Sequence, residues 1–403
     1  MSRLLASEGS RKIRVAFLML ENQKWSSQAI YDALEADSGF EPLILASTHT
    51  HNARQGRSGI RTTLEDNVAF AERRGMSVEK AYDPQSRKFV PLERFSPDIV
   101  FYEQPYGLPP EHAPGHVAGF ALTCYVPYGY GIYLARNSGQ KGTPDFSEYI
   151  WRTFLESEDF LRCAGQEDLL RQKGIVPVGY PKMDAFACAL VARSRTERTG
   201  QQARPRIIFA PHHSVSGNHQ DRYGTFAWSG RRMLEFARAT PEAMWIFKPH
   251  PKLRESLIAL RLMSAEEVDD YFHQWETLEN AETVLDGNYL DCFVDSDGMI
   301  TDSGSFLLEY LFTGCPLLLL KSSVSAGYSP FGEKIAASLY QANDFAAVED
   351  FVAQVMLGGG DSLRTERARI TPKLNPHSGA DIVKYLRSEF SSSWMSPQRD
   401  RAV

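Results

Sequence analysis

DSDGMITDSGSFLLEYLFTGCPLLLLK, residues 295–321, is the stretch whose reading decides the fold. Residues 298–301 are an apolar run short enough for a buried strand. Asp302, Ser303, Gly304 and Ser305 make a small polar turn, and Phe306, Leu307, Glu309, Tyr310 and Phe312 then recur at a helical period. A second apolar run, 316–320, follows Gly314. Strand, polar turn, helix, strand is a βαβ unit. Its chemistry lies in the turn. The hydroxyls of Ser303 and Ser305 and the free N–H groups of the first helical turn converge where the helix dipole favours negative charge, which suits a phosphate or pyrophosphate. A Ser-rich helix start after a buried strand is also a common structural device. A carboxylate beside a phosphate repels it, so Asp302 is assigned to capping the helix or holding the loop.

The same grammar extends in both directions. Residues 13–20, IRVAFLML, form a run suited to a strand buried on both faces. WSSQAIYDALEAD follows at a helical period, and residues 40–46 are a second strand. Further strands are expected at 77–82, 99–102, 121–126 and 175–178, with residues 147–155 helical. The second half restarts with strands at 206–210, 244–248, 283–286 and 336–340, and helices over 229–239, 253–280 and 345–357. Between the halves, VARSRTERTGQQARPR is polar, basic and aperiodic. The expected organisation is an α/β chain of two Rossmann-like domains, 1–190 and 206–403, joined by a linker at 191–205. Their parallel sheets would face one another across a cleft, and a last helix at 379–390 would cross back onto the first domain.

The 403 residues suit two domains, and 43% hydrophobic and 23% charged residues are those of a globular protein. A formal net charge of −6 argues against wholesale nucleic-acid binding. Cys124, Cys163, Cys188, Cys292 and Cys315 are odd in number and without a C-x-x-C pair, and they read as buried thiols in a reducing compartment. No apolar run reaches the roughly 20 residues of a membrane helix. No signal-peptide core stands at the start, so a cytoplasmic location is expected. His49 and His51 lie in a polar loop with no acidic or cysteine partner nearby, and no metal or cofactor is demanded.

Three strand ends of the second half deliver polar groups to one crevice. They are His212, His213 and Ser214; Lys248 and His250; and Asp302, Ser303 and Ser305. Pro249 and Pro251 restrict the backbone on either side of His250, which helps aim an imidazole that binds phosphate or exchanges a proton. In the first half, Glu103, Gln104 and Tyr106 end one strand. PYGYGIY, with Tyr128, ends another and could shape an acceptor pocket or pack over the sheet edge.

The motifs GYPKMD at 179–184, KPHP at 248–251 and SDGMITDSGSFLLEY at 296–310 resemble, in order and spacing, the GYPRND, K-x-HP and SDxLITDYSS signatures of CDP-glycerol glycerophosphotransferases. Those enzymes make teichoic acids and related surface polymers. The resemblance covers roughly residues 175–320 and implies a GT-B fold with the nucleotide donor held mainly by the C-terminal domain. It implies a transferase that moves glycerol phosphate or ribitol phosphate from a CDP-linked donor to a hydroxyl of a polysaccharide or lipid-linked acceptor. That acceptor would bring peripheral contact with the inner membrane. By position, His250 matches the histidine of the HP motif; Thr301, Ser303, Gly304 and Ser305 match the loop on the donor phosphates; and Glu309 falls where a carboxylate holds the ribose. Lys248 would add positive charge, and Ser214 and Tyr128 are further substrate-binding candidates. The chain departs from the family at Pro211-His212-His213-Ser214, where Pro-Thr-Trp-Arg is usual. It departs again at TCYVPYGYG, where a His-Gly-Thr-Pro-Leu-Lys motif is usual and Tyr125 stands near the histidine's place. The base that activates the acceptor is therefore open among His212, His213 and Glu103. A sugar-nucleotide glycosyltransferase and a non-catalytic nucleotide-binding assembly protein are the alternatives.

Overall fold

The computed structural model describes residues 11–50, 64–129, 146–172, 174–193, 204–215, 223–285, 289–324 and 327–394. The chain divides into two compact units. One comprises residues 1–129, 136–187 and 373–403, and the other 130–135 and 188–372.

The first unit is built on a parallel sheet. Its strands are β1 (Ile13–Met19), β2 (Phe40–Ala46), β3 (Val78–Lys80), β6 (Ile99–Tyr102), β7 (Leu122–Tyr125), β8 (Arg152–Leu155) and β9 (Ile175–Pro177), in the order β3-β2-β1-β6-β7-β8-β9. A two-stranded hairpin, β4 (Tyr82–Asp83) with β5 (Lys88–Phe89), stands apart from it. The central strands are mostly apolar and buried on both faces, with α1 (Gln28–Glu35) and α2 (Leu64–Arg73) contributing to the packing; α3 (Asp184–Arg193) runs across the division between the two units. Residues 152–155 correct the helix expected at 147–155. Only a single 3₁₀ turn, Phe146–Tyr149, precedes a strand that pairs in parallel with β7 and β9.

The second unit has strands β10 (Arg206–Ala210), β11 (Met244–Phe247), β12 (Ala281–Thr283), β13 (Gly298–Thr301), β14 (Leu317–Leu320) and β15 (Tyr340–Ala342), in the order β12-β11-β10-β13-β14-β15. Counted within the unit this is the 3-2-1-4-5-6 order of a complete doubly wound Rossmann sheet. Its main helices are α4 (Phe226–Ala239), α5 (Ala265–Glu276), α6 (Gly304–Leu311), α7 (Pro330–Ala337) and α8 (Phe345–Phe351). Phe209, Phe247 and Trp275 stack at its centre. The strand expected over 336–340 is corrected: Ser329 accepts the N–H of Gly332, Pro330 sits at the first helical position, and α7 runs through Ala337. After Pro372 the chain re-enters the first unit, where α9 (Ser378–Trp394) packs on α1.

Of the five cysteines only Cys124 is fully buried, Cys163, Cys292 and Cys315 are half-buried and Cys188 is exposed, which corrects the reading of a set of buried thiols. Among the described residues no helix is long and apolar enough to cross a membrane.

Candidate functional site

In each unit the strand order reverses between two neighbouring strands, and the crevice beyond their carboxyl ends is the place an open α/β sheet offers a ligand. In the second unit these strands are β10 and β13, and the segments leaving them are bonded together. The His212 N–H donates to Asp302 Oδ1, while Thr225 donates both its N–H and its hydroxyl to Asp302 Oδ2. The Thr301 hydroxyl donates to the Ala210 carbonyl and accepts the Ser303 N–H, and the His250 N–H donates to the Pro211 carbonyl. Asp302 is thus a buried tie between loops, at 0% exposure. Burial lifts its pKa to about 6 against the lowering effect of those donors.

This tie brings three imidazoles together. The ring centroids of His212, His213 and His250 lie 4.4, 5.0 and 4.2 Å apart, and one ring nitrogen from each lies within 4.8 Å of the others. His250 Nδ1 accepts the backbone N–H of Lys252 at 3.1 Å. His212 Nδ1 accepts that of Ser214 at 3.2 Å and lies 2.8 Å from the Ser214 hydroxyl. That hydroxyl already accepts the N–H groups of Tyr223 and Gly224, so its own proton is left to donate to His212. An Nδ1 that accepts a backbone N–H carries no proton, which assigns both neutral rings to the Nε2–H tautomer. Burial, then the neighbouring imidazoles and Lys252, push His212 down to about 3 and His250 to about 2, so both are neutral near pH 7.

The remaining residues singled out in this unit fall into two groups. Ser303 heads α6 with no side-chain capping bond, leaving the N–H groups at the helix start without a side-chain cap, although the Phe306 N–H is taken by the Ser303 carbonyl. The Ser305 side chain lies outside the described residues. Lys248 is nearly buried and points its ammonium at the Leu285 carbonyl, 3.4 Å away. Glu309 is buried and accepts the Tyr289 hydroxyl at 2.5 Å. The hydroxyls of Thr301 and Ser214 are bonded within the scaffold, Ser214 at 2% exposure, so they shape the loops.

In the first unit the order reverses between β1 and β6, and there the position at a helix N-terminus is taken by the chain's own carboxylate. Glu103 Oε1 accepts the Ser26 N–H at 2.7 Å and the hydroxyls of Ser26 and Ser27 at 3.1 and 2.9 Å, just ahead of α1. Glu103 is 5% exposed, and burial raises its pKa to about 7 despite those donors. Beside it the Tyr128 and Tyr106 hydroxyls bond at 2.8 Å, and the Lys24 ammonium lies over both rings. Two residues not singled out from the sequence belong to this end of the sheet. Lys24 is one, and Glu156, just past β8, is the other, its carboxyl raised by burial to about 7. An acidic residue directly after an apolar run was the available signal for Glu156. His49 packs against Gly107, whose φ of +80° and closeness to the ring leave no room for a Cβ; His51 lies outside the described residues.

No family model matches the chain, and no curated protein matches it significantly in sequence. Solved structures do match in fold. A variant of the wall teichoic acid polymerase TagF superposes with a TM-score of 0.59 at 11% identity, covering 96% of this chain and 90% of that one. The UDP-GlcNAc 2-epimerase of Neisseria meningitidis, bound to UDP-GlcNAc, gives 0.57 at 13% identity, covering 94% and 100%. The corresponding epimerase of Methanocaldococcus jannaschii, in complex with UDP-GlcNAc and UDP, gives 0.55 at 13%, covering 94% and 100%. At these identities the likeness establishes the fold: two Rossmann-like units of the GT-B type.

Proposed function

We propose that the chain is a transferase that moves glycerol phosphate or ribitol phosphate from a CDP-linked donor to a hydroxyl of a cell-surface polysaccharide or lipid-linked acceptor, releasing CMP. A lipid-linked acceptor would place this work at the cytoplasmic face of the inner membrane. The observation that carries the reading is the set of uncharged donors at the second unit's switch point, where His212, His250, Ser303 and the α6 N-terminus gather. The KPHP and SDGMITDSGS motifs that build it support a diphosphate ligand. In the step, an oxygen of the acceptor hydroxyl bonds to the phosphorus that bears the polyol. The bond from that phosphorus to the bridging oxygen breaks, and the oxygen leaves with CMP.

The hydroxyl proton is assigned to Glu103. The open nitrogens of His212 and His250 already carry a proton and have no lone pair to offer a second. Glu103 has a pKa raised by burial to about 7, where a general base is most effective, with Oε1 anchored by Ser26 and Ser27. Phosphoryl transfer draws most of its rate from positioning and charge stabilisation, which is the work of the crevice donors. Lys248 adds charge nearby, and Glu309 is assigned to the ribose with one oxygen shared by Tyr289.

A second reading, the use of a UDP-linked amino sugar, is favoured by the fold likeness to UDP-GlcNAc 2-epimerases over nearly the whole chain. A donor screen tests both. CDP-glycerol, CDP-ribitol and UDP-GlcNAc are offered with and without acceptor, with binding and products measured. Release of CMP supports the proposal. Release of UDP, or epimerised sugar, replaces it with the second reading. Tight binding without turnover of any donor leaves a nucleotide-binding assembly protein.

A further inference from the structure

Three imidazoles whose nitrogens lie within 4.8 Å of one another have the spacing of a transition-metal site. What decides between a metal and another ligand is the far nitrogen of each ring. A histidine that ligates a metal through one nitrogen nearly always donates the other N–H to a carbonyl, carboxylate or water. Here Nδ1 of two of the rings faces donors instead. The Lys252 N–H points at His250 Nδ1, and the Ser214 N–H and hydroxyl point at His212 Nδ1. The two bonds have the same form, a histidine ring turned back on the backbone N–H two residues later. The Ser214 hydroxyl is held in its role by the N–H groups of Tyr223 and Gly224. Metal ligation through Nε2 would require a proton on each Nδ1, set against these N–H groups.

We infer that His212 and His250 form a pair of uncharged N–H donors, locked in the Nε2–H tautomer by the backbone, and that the three-histidine cluster is a site for a phosphoryl oxyanion and not for a metal ion. This rests on the diphosphate-donor reading above and adds how the diphosphate is recognised. His213, packed against both rings, closes the cluster. A fully ionised phosphoryl oxygen satisfies both N–H groups, whereas a metal ion or an ammonium group meets two protons. Ser214 is a positioning residue that acts through His212.

The test is ¹⁵N NMR of the ring nitrogens in the intact protein, with His212→Gln and His250→Gln used only to assign the two rings among the ten histidines. Inorganic pyrophosphate and Zn²⁺ are the probes. The expected result is an unprotonated Nδ1 and a protonated Nε2 in both rings, Nε2 resonances that shift on adding pyrophosphate, and no coordination shift at either ring with stoichiometric Zn²⁺. A protonated Nδ1 in either ring, Zn²⁺ coordination at both, or rings indifferent to saturating pyrophosphate would overturn the inference. Its failure is separable from that of the proposed function. Locked rings that bind pyrophosphate in a protein that turns over no CDP-linked donor sink the function and keep the site. Turnover of CDP-glycerol with the opposite tautomers does the reverse.

Discussion

The backbone N–H of His212 reaches Asp302 Oδ1 at 2.6 Å, joining the segments that leave β10 and β13 where the strand order reverses. Asp302 collects two further donors from Thr225, so Asp302→Ala removes the acceptor of three donors, two of them buried. The expected loss is about 3 kcal/mol in urea unfolding at pH 7, at the rate of roughly 1 kcal/mol per donor left unsatisfied. The sign with pH runs against intuition. Burial raises the folded pKa to about 6 from 3.8, so the stability linked to this carboxyl is full below about pH 4 and falls as pH rises toward 6. Asp302→Asn cannot titrate, so the advantage of the wild type over it should be largest at pH 4 and shrink by roughly 2–3 kcal/mol by pH 7. A gap that widens with pH would refute this account.

His250 and Ser303 separate transition-state from ground-state contacts. If the His250 N–H stabilises charge that develops on the leaving phosphate, His250→Ala should lower kcat by about 10²-fold or more. Ser303→Ala removes a neutral hydrogen bond made before and during the reaction, so it should raise KM by roughly 1 kcal/mol in binding and spare kcat. Melting of both variants guards against a purely structural role. A His250→Ala protein that turns over normally once its folded fraction is counted sinks the assignment.

Glu103 sets the expected pH profile. A base with a pKa of about 7 is protonated below it, so kcat/KM should rise with pH and level off above about 7. Glu103→Gln keeps an oxygen for the Ser26 and Ser27 donors and removes the lone pair that takes the proton. Activity should fall by about 10²-fold or more, within the range for loss of a general base, and the inflection near 7 should vanish. A variant that keeps the inflection would move the base to Glu156 or the substrate itself.

The fold was legible wherever burial on both faces writes a continuous apolar run. Residues 13–20, 99–102, 206–210 and 298–301 are such runs, and all contain strands. It failed at β8, where Trp151, Phe154 and Leu155 fit helical spacing and only pairing with β7 and β9 settles the matter. It failed again at α7, whose start is written in the Gly, Ser and Pro of a loop. At the site, the residue types near each strand end were readable, but the direction of each hydroxyl was not. Thr301 turns to a carbonyl 91 positions away, and Glu103 meets serines 76 and 77 positions away. Ring tautomers depend on which backbone N–H faces which nitrogen, a property with no trace in the sequence.

The docking of α9 gives the last test. Gly379 lies so close to α1 that a Cβ there would fall 2.4 Å from the Ala29 carbonyl carbon, and backbone cannot swing aside. Its N–H donates to Asp184 Oδ2 at 2.8 Å, and Ile382 and Leu386 on the same helix are fully buried in the first unit's core. Farther along, the Tyr385 hydroxyl accepts from Arg152 Nε at 2.6 Å, and Arg387 pairs with Asp37. Gly379→Ala therefore has to push the helix off α1, loosening a core contact and the Asp184 bond together. About 2 kcal/mol of destabilisation is expected, the middle of the range for overpacking. Gly129→Ala, with no atom of the described residues within 4 Å of its Cβ position and no positive φ, is the control and should melt like the wild type. If both variants melt alike, α9 is not held by this close approach.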